Sequence, residues 1–324
     1  LDMTEDGKAG RFVHHIVDES AAVRYSCGMT YARHELLDDS ETLPRMPSWV
    51  TSAWLEIPED VAFLSGATLG HLHLVLSRDD VPQTLLRARL ALRAAEVSVV
   101  NACRPERAAE LRDSVAFLQP GDSPGPAGEI YLSWQRAVQR PVSVKALHRA
   151  MPDLEPEKIA TWLSAGRGAP VARVASVLQA VLADRPRDPA TALILADAAL
   201  AQTLGWNHVL PLLALGLKRA NLRKSGDELR LACHRAILAA VAQATQEAAN
   251  LARRAARLKE VAPKLRARGS DEAVALFLSR DAVAPTALMS LRSDRAARRI
   301  CDRLVELGAV RELTGRDTFR LYGI

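Results

Sequence analysis

With 324 residues, 48% of them hydrophobic and 25% charged, the chain is long enough for two globular domains. No apolar run reaches the roughly 18 residues a membrane span needs, and no basic stretch followed by an apolar one opens the chain, so a soluble cytoplasmic protein without membrane contact is expected. The net charge of +5 is unevenly divided: from Lys218 on there are 22 Lys and Arg against 12 Asp and Glu, while the first 217 residues hold 21 basic and 26 acidic groups, which predicts a polyanion-facing C-terminal third.

Residues 1–43 show no sustained helical or strand period and hold three of the eight histidines. They read as a poorly structured leader, and since the chain starts on Leu1, Met46 is a candidate true start. From Pro58 the period turns helical. EDVAFLSGATLGHLHLVLS repeats apolar residues at helical spacing, with Gly66 and Gly70 as small sites for close packing. VPQTLLRARLALRAAEVSVVNA and RPERAAELRDSVAFL give two more helices. Three prolines and three glycines between 119 and 129 then form a loop, read as a connector because no Gly-Lys-Ser/Thr follows it. Short helices over EIYLSWQRAVQ, SVKALHRAMP and EPEKIATWLSAG lead to PVARVASVLQAVLA and PATALILADAALAQTLG. NHVLPLLALGLKRANL is apolar on nearly all sides and is expected at the centre of the core. The longest helix is predicted from Asp227 to about Val261. Its stripe of Leu229, Cys233, Ala236, Ala240, Ala244, Ala248, Leu251, Ala255 and Leu258 is a candidate for packing in a homodimer. Pro263 and Gly269 divide an all-helical domain, 44–265, from a module over 270–324.

That module reads as three helices and a β-hairpin. SDEAVALFLSRDAV and SDRAARRICDRLVELG each open on a Ser cap, APTALM is a short helix between them, and Gly308 stops the last one. On a wheel of about 100° per residue, Ala297, Ile300, Leu304 and Leu307 share one face, and Arg295, Arg298, Arg299 and Asp302 point the other way. Guanidinium groups near the N-terminus of a capped helix suit the DNA major groove, where Arg forks onto guanine or clamps phosphate. AVREL and TFRLYG form a hairpin around Thr314-Gly315-Arg316-Asp317, adding Arg311, Arg316 and Arg320.

The stretch SDRAARRICDRLVELGAVRELTGRDTFRLYGI resembles the recognition helix and wing of a bacterial winged helix-turn-helix domain, of the kind that follows Fic-type helical domains. The resemblance implies that Ser293, Arg295, Arg298 and Arg299 face the groove and that Arg316 and Arg320 sit on the wing. Over 44–324, segments such as LRARLALRAAE and PGDSPGPAGEIYLSW are similar to the uncharacterised alphaproteobacterial family DUF1403, which implies architecture and no chemistry. The Fic loop carries a His base and a glycine-rich turn. The best-placed equivalent here, ADRPRDPATAL, has neither, so adenylyl transfer is not expected.

No other catalytic pattern stands out. His71 and His73 lie about 200° apart on one helix and cannot share a metal from it. His208 and His234, near Asp197 or Asp227, read as satisfied core histidines before they read as a base and its orienter. Four scattered cysteines make neither a disulfide framework nor a zinc site. The expectation is therefore a mainly α protein, a multi-helical bundle followed by a winged helix-turn-helix with a short hairpin. It binds double-stranded DNA, with no cofactor, no metal and no catalytic residue. The alternatives are an adaptor that binds protein rather than DNA, and an enzyme with an unrecognised site in the helical body.

Overall fold

An unbroken run of buried residues from Thr191 to Ala201 marks the axis of the fold, since a helix buried on every side has neighbours on every side. The computed structural model describes residues 43, 46–51, 57–265, 269–289, 293–316 and 318–324, and Thr42–Ile324 form one compact unit. Of the expected leader only Leu43 lies within the described residues; it and Met46 pack half-buried against the core.

In chain order the helices are α1 (Ser48–Thr51), α2 (Pro58–Leu76), α3 (Gln83–Asn101), α4 (Ala108–Ala116), α5 (Gly125–Gln139), α6 (Val144–Ala150), α7 (Pro156–Leu163), α8 (Pro170–Asp184), α9 (Pro189–Thr203), α10 (Leu212–Gly216), α11 (Gly226–Val261), α12 (Ser270–Phe277) and α13 (Asp294–Glu306). Proline opens α2, α7, α8 and α9, where its missing N–H costs nothing. The main packings are α8 on α9, α2 on α11, α3 on α5 and α10 on α11. The protein is mainly α, and none of its described helices is long and apolar enough to cross a membrane.

The central place expected for 207–222 belongs to α9. Pro211, which lacks an amide, interrupts that stretch, and only the five residues of α10 are α-helical, followed by a 3-10 turn over Arg219–Arg223. Its apolar residues are buried all the same, with Val209, Leu210, Leu212, Leu213 and Leu217 all in the core. The amides of α10 find their acceptor in Asp197 of α9, which takes Leu212 N at 3.1 Å, Leu213 N at 2.8 Å and Ala214 N at 3.4 Å. α10 then crosses α11 backbone to backbone: a Cβ on Gly216 would lie 2.1 Å from the Ala236 carbonyl oxygen.

The small-residue stripe of α11 is buried along its whole length, within a helix that packs on α2, α8 and α10 of the same chain. A homodimer would therefore need another face. Gly66 and Gly70, expected to allow close packing, do the opposite: a Cβ on either would meet no atom of the described residues within 4 Å.

The C-terminal lobe is more economical than the sequence suggests. α12 is preceded by Gly269 at φ +95°, with Ser270 already helical and not its cap. APTALM contributes one 3-10 turn, Pro285–Ala287, and Met289 stands exposed beyond it. Strands β1 (Arg311–Glu312) and β2 (Tyr322–Gly323) pair antiparallel with Arg311 opposite Gly323 and Glu312 opposite Tyr322. The hairpin is thus shorter in its strands and longer in its loop than expected, and Asp317 of its turn lies outside the described residues. On its other side Tyr322 bridges to Val283, N to O at 2.8 and 3.0 Å.

Candidate nucleic-acid interface

α13 begins and ends as its sequence dictates. Ser293 accepts from Ala296 N at 3.3 Å, and Gly308 leaves the helix at φ +67°. Ala297, Ile300, Cys301 and Leu304 are buried and Leu307 half-buried, and burial pushes the Cys301 thiol up to about 12. The opposite face carries Arg295, Arg298 and Arg299, all exposed and without a hydrogen-bond or ion-pair partner among the described residues. Acids share that face. Glu306 pairs with Arg303 at 2.8 Å, and Asp302 accepts from the Tyr322 hydroxyl at 3.2 Å.

The hairpin loop is held from within. Burial pushes Glu312 upward, yet bonds from the Thr314 hydroxyl and from the Thr314 and Gly315 amides, both at 2.8 Å, bring its carboxyl below the usual range. The loop is also held from the body. Arg316, placed at the tip by the sequence, ion-pairs with Asp113 of α4 at 3.1 Å. Arg320 donates Nε to the Arg316 carbonyl at 2.9 Å. Between them Phe319 adopts φ +56°, a backbone region a bulky residue rarely occupies, and meets Phe117 edge-on at 5.8 Å.

The seven arginine and serine positions therefore fall into three groups. Ser293 with Arg295, Arg298 and Arg299 form the exposed start of α13. Arg316 and Arg320 are gathered on the loop and tied to α4. Arg311 lies on β1 near Arg254 of α11, whose guanidinium is lowered first by burial and then by the positive charge of Arg311 and Arg89. A groove of about 520 Å³ separates α13 from the loop and α4, lined by Phe117, Pro285, Arg298, Phe319 and Tyr322 among others.

Sequence reasoning missed the residues that dock this lobe. Asp281, buried after α12, ion-pairs with Arg89 of α3 and lies 3.8 Å from Arg112 of α4. Arg89 also donates to the Ile324 carbonyl at 3.1 Å, and Arg112 to that of Leu313 at 3.4 Å. The only signal was a charged residue, Asp281, next to an apolar helix end.

Elsewhere, Asp197 serves as a cap rather than a catalytic orienter. His234 pairs with Ser65 at 2.6 Å, and His73 accepts from Trp206 Nε1 at 3.0 Å. No group of three or more potential metal ligands occurs among the described residues.

The geometry defines a mainly helical protein whose last capped helix displays arginines beside a hairpin docked on the body. The family model for DUF1403, proteins of unknown function, matches residues 34–324, so the chain belongs to that family, and the match begins before residue 44. No curated protein matches it.

Proposed function

We propose that the protein binds double-stranded DNA in the cytoplasm through a C-terminal winged helix-turn-helix, as a transcriptional or plasmid-associated regulator. The observation that carries this reading is α13, a well-capped helix with its apolar face packed inward and, outward, three exposed arginines without a partner among the described residues. The succession α12, Val283 paired to Tyr322, the turn Pro285–Ala287, α13 and the β1–β2 hairpin follows the order of a winged helix. In such a lobe Arg295, Arg298 and Arg299 read base edges and phosphates in the major groove, while Arg316 and Arg320 of the wing clamp backbone. Asp113 then occupies the place of a phosphate oxygen on Arg316 until DNA takes it.

Selection from fragmented genomic DNA tests the reading, with wild type compared with Arg295→Ala/Arg298→Ala/Arg299→Ala. Enrichment of one sequence motif that the variant loses is the expected outcome, with specific affinity of about 10⁻⁸–10⁻¹¹ M. Equal and unenriched recovery by both proteins would overturn it and leave the adaptor reading, in which the lobe binds protein.

A further inference from the structure

Two glycines in the middle of α2 need an explanation. Gly66 and Gly70 have ordinary helical backbone, so no special conformation demands them, and no described atom lies where their Cβ would be, so no close approach does either. Each costs about 1 kcal/mol of helix propensity relative to alanine. What they leave is open volume. They form one wall of a cavity of about 700 Å³ between α2, the start of α8, the end of α9 and α11. Leu69, Val171 and Leu204 give it an apolar lining, and that volume suits a molecule of roughly drug size.

Few polar groups edge it, and donors outnumber acceptors among them. Ser65 gives its single hydroxyl proton to the Ala62 carbonyl at 2.9 Å, so its oxygen accepts from Nδ1–H of His234 at 2.6 Å. Burial and the nearby Arg230 lower His234, which keeps the imidazole neutral with Nε2 as an acceptor. His73 Nδ1 accepts from Trp206, which leaves its Nε2 as the protonated, donating nitrogen. The Arg230 guanidinium lines the same space, held from outside it by an ion pair with the exposed Asp227 at 3.1 Å. So does the start of α8, from Ala169 to Ala172, where Pro170 has no amide and those of Val171 and Ala172 meet no side-chain cap among the described residues. No carboxylate of the described residues lines the cavity. His73 and Arg230 thus give an apolar chamber two donors, beside the single acceptor of His234.

We infer that this cavity binds a small organic acid with an apolar body, its carboxylate taken by Arg230 in exchange for Asp227 and its hydrocarbon laid over Gly66 and Gly70 towards His73. The site is independent of the DNA reading. It is a binding site and not a hydrolytic one: the Ser65 oxygen is buried and its proton is directed to a backbone carbonyl, away from the imidazole that would have to remove it.

Calorimetric titration of the full-length protein tests the inference, using naphthoate and decanoate, with naphthamide and decanol as their uncharged counterparts. At least one acid is expected to bind tenfold or more tightly than its counterpart. Arg230→Gln should weaken that preference several-fold, since Arg230 is an exposed surface group whose loss leaves the fold intact. Gly70→Leu, whose Cβ would meet no described atom within 4 Å and whose remaining carbons enter the chamber, should abolish binding while the thermal midpoint holds or rises. The inference fails if neither acid binds at millimolar concentration. It fails equally if acid and uncharged counterpart bind alike, or if a folded Gly70→Leu protein binds the acid as wild type does.

Discussion

A carboxylate out of reach of water stays charged only if the protein replaces the water. Asp197 receives three amide N–H groups, but complete burial prevails and pushes its carboxyl up to about 8. An unfolded Asp titrates near 4, so the native state holds a proton that the unfolded chain has lost across about pH 4 to pH 8. The stabilisation linked to this proton is complete below the unfolded value and disappears as pH rises through the native one. The urea midpoint of wild type should therefore fall over that window relative to Asp197→Asn, which has no proton to lose. Parallel pH profiles for the two proteins would show that Asp197 is ionised in the native state. An aspartate inside LILADAALA announces a buried polar contact, because Asp is seldom buried unpaired. Its partners, fifteen to seventeen positions on, are not legible, because they depend on Pro211 breaking what otherwise reads as one helix.

At the scale of elements, the helices whose ends are written in local chemistry were readable: proline at the first turn, Ser293 before α13, Gly308 after it, and the uninterrupted period of α11. Where tertiary contact decides, the sequence was silent or misleading. Glycine is the clearest case, because the same residue type marks close contact at Gly216 and empty space at Gly66. The two positions predict opposite responses to alanine. Gly216→Ala drives a Cβ into the Ala236 carbonyl and must separate α10 from α11, at a cost of about 3 kcal/mol or more. Gly66→Ala adds a methyl to open space within a helix and should gain up to about 1 kcal/mol. Denaturant unfolding of both variants decides the matter, and a destabilised Gly66→Ala would mean that something packs on that wall. Ser293→Ala should cost about 1 kcal/mol by removing the α13 cap, and lower DNA affinity by no more than that destabilisation explains.

At the scale of the molecule, the basic surplus of the last third was legible by counting, but its docking was not. The bond from Arg112 to Leu313 joins residues 201 positions apart, and no local pattern encodes that. Docking gives the body a say in what the hairpin loop can do, because Arg316 cannot hold a phosphate while it holds Asp113. Arg316 is more than half exposed, so the pair contributes only about 0–1 kcal/mol, and its hold on the loop is weak. Asp113→Asn removes both this competition and a negative charge facing the incoming backbone. It should tighten DNA binding by about two- to fivefold, the range that such a pair allows. Arg316→Ala should weaken binding and flatten its dependence on salt by up to about one unit of slope, the share of a single phosphate contact. In the double variant the gain from Asp113→Asn should shrink to what the lost negative charge alone gives, because there is no longer a guanidinium to release. If instead Asp113→Asn and Arg316→Ala both leave affinity and salt slope unchanged, the loop takes no part in binding. Any recognition would then rest on the three arginines of α13 alone.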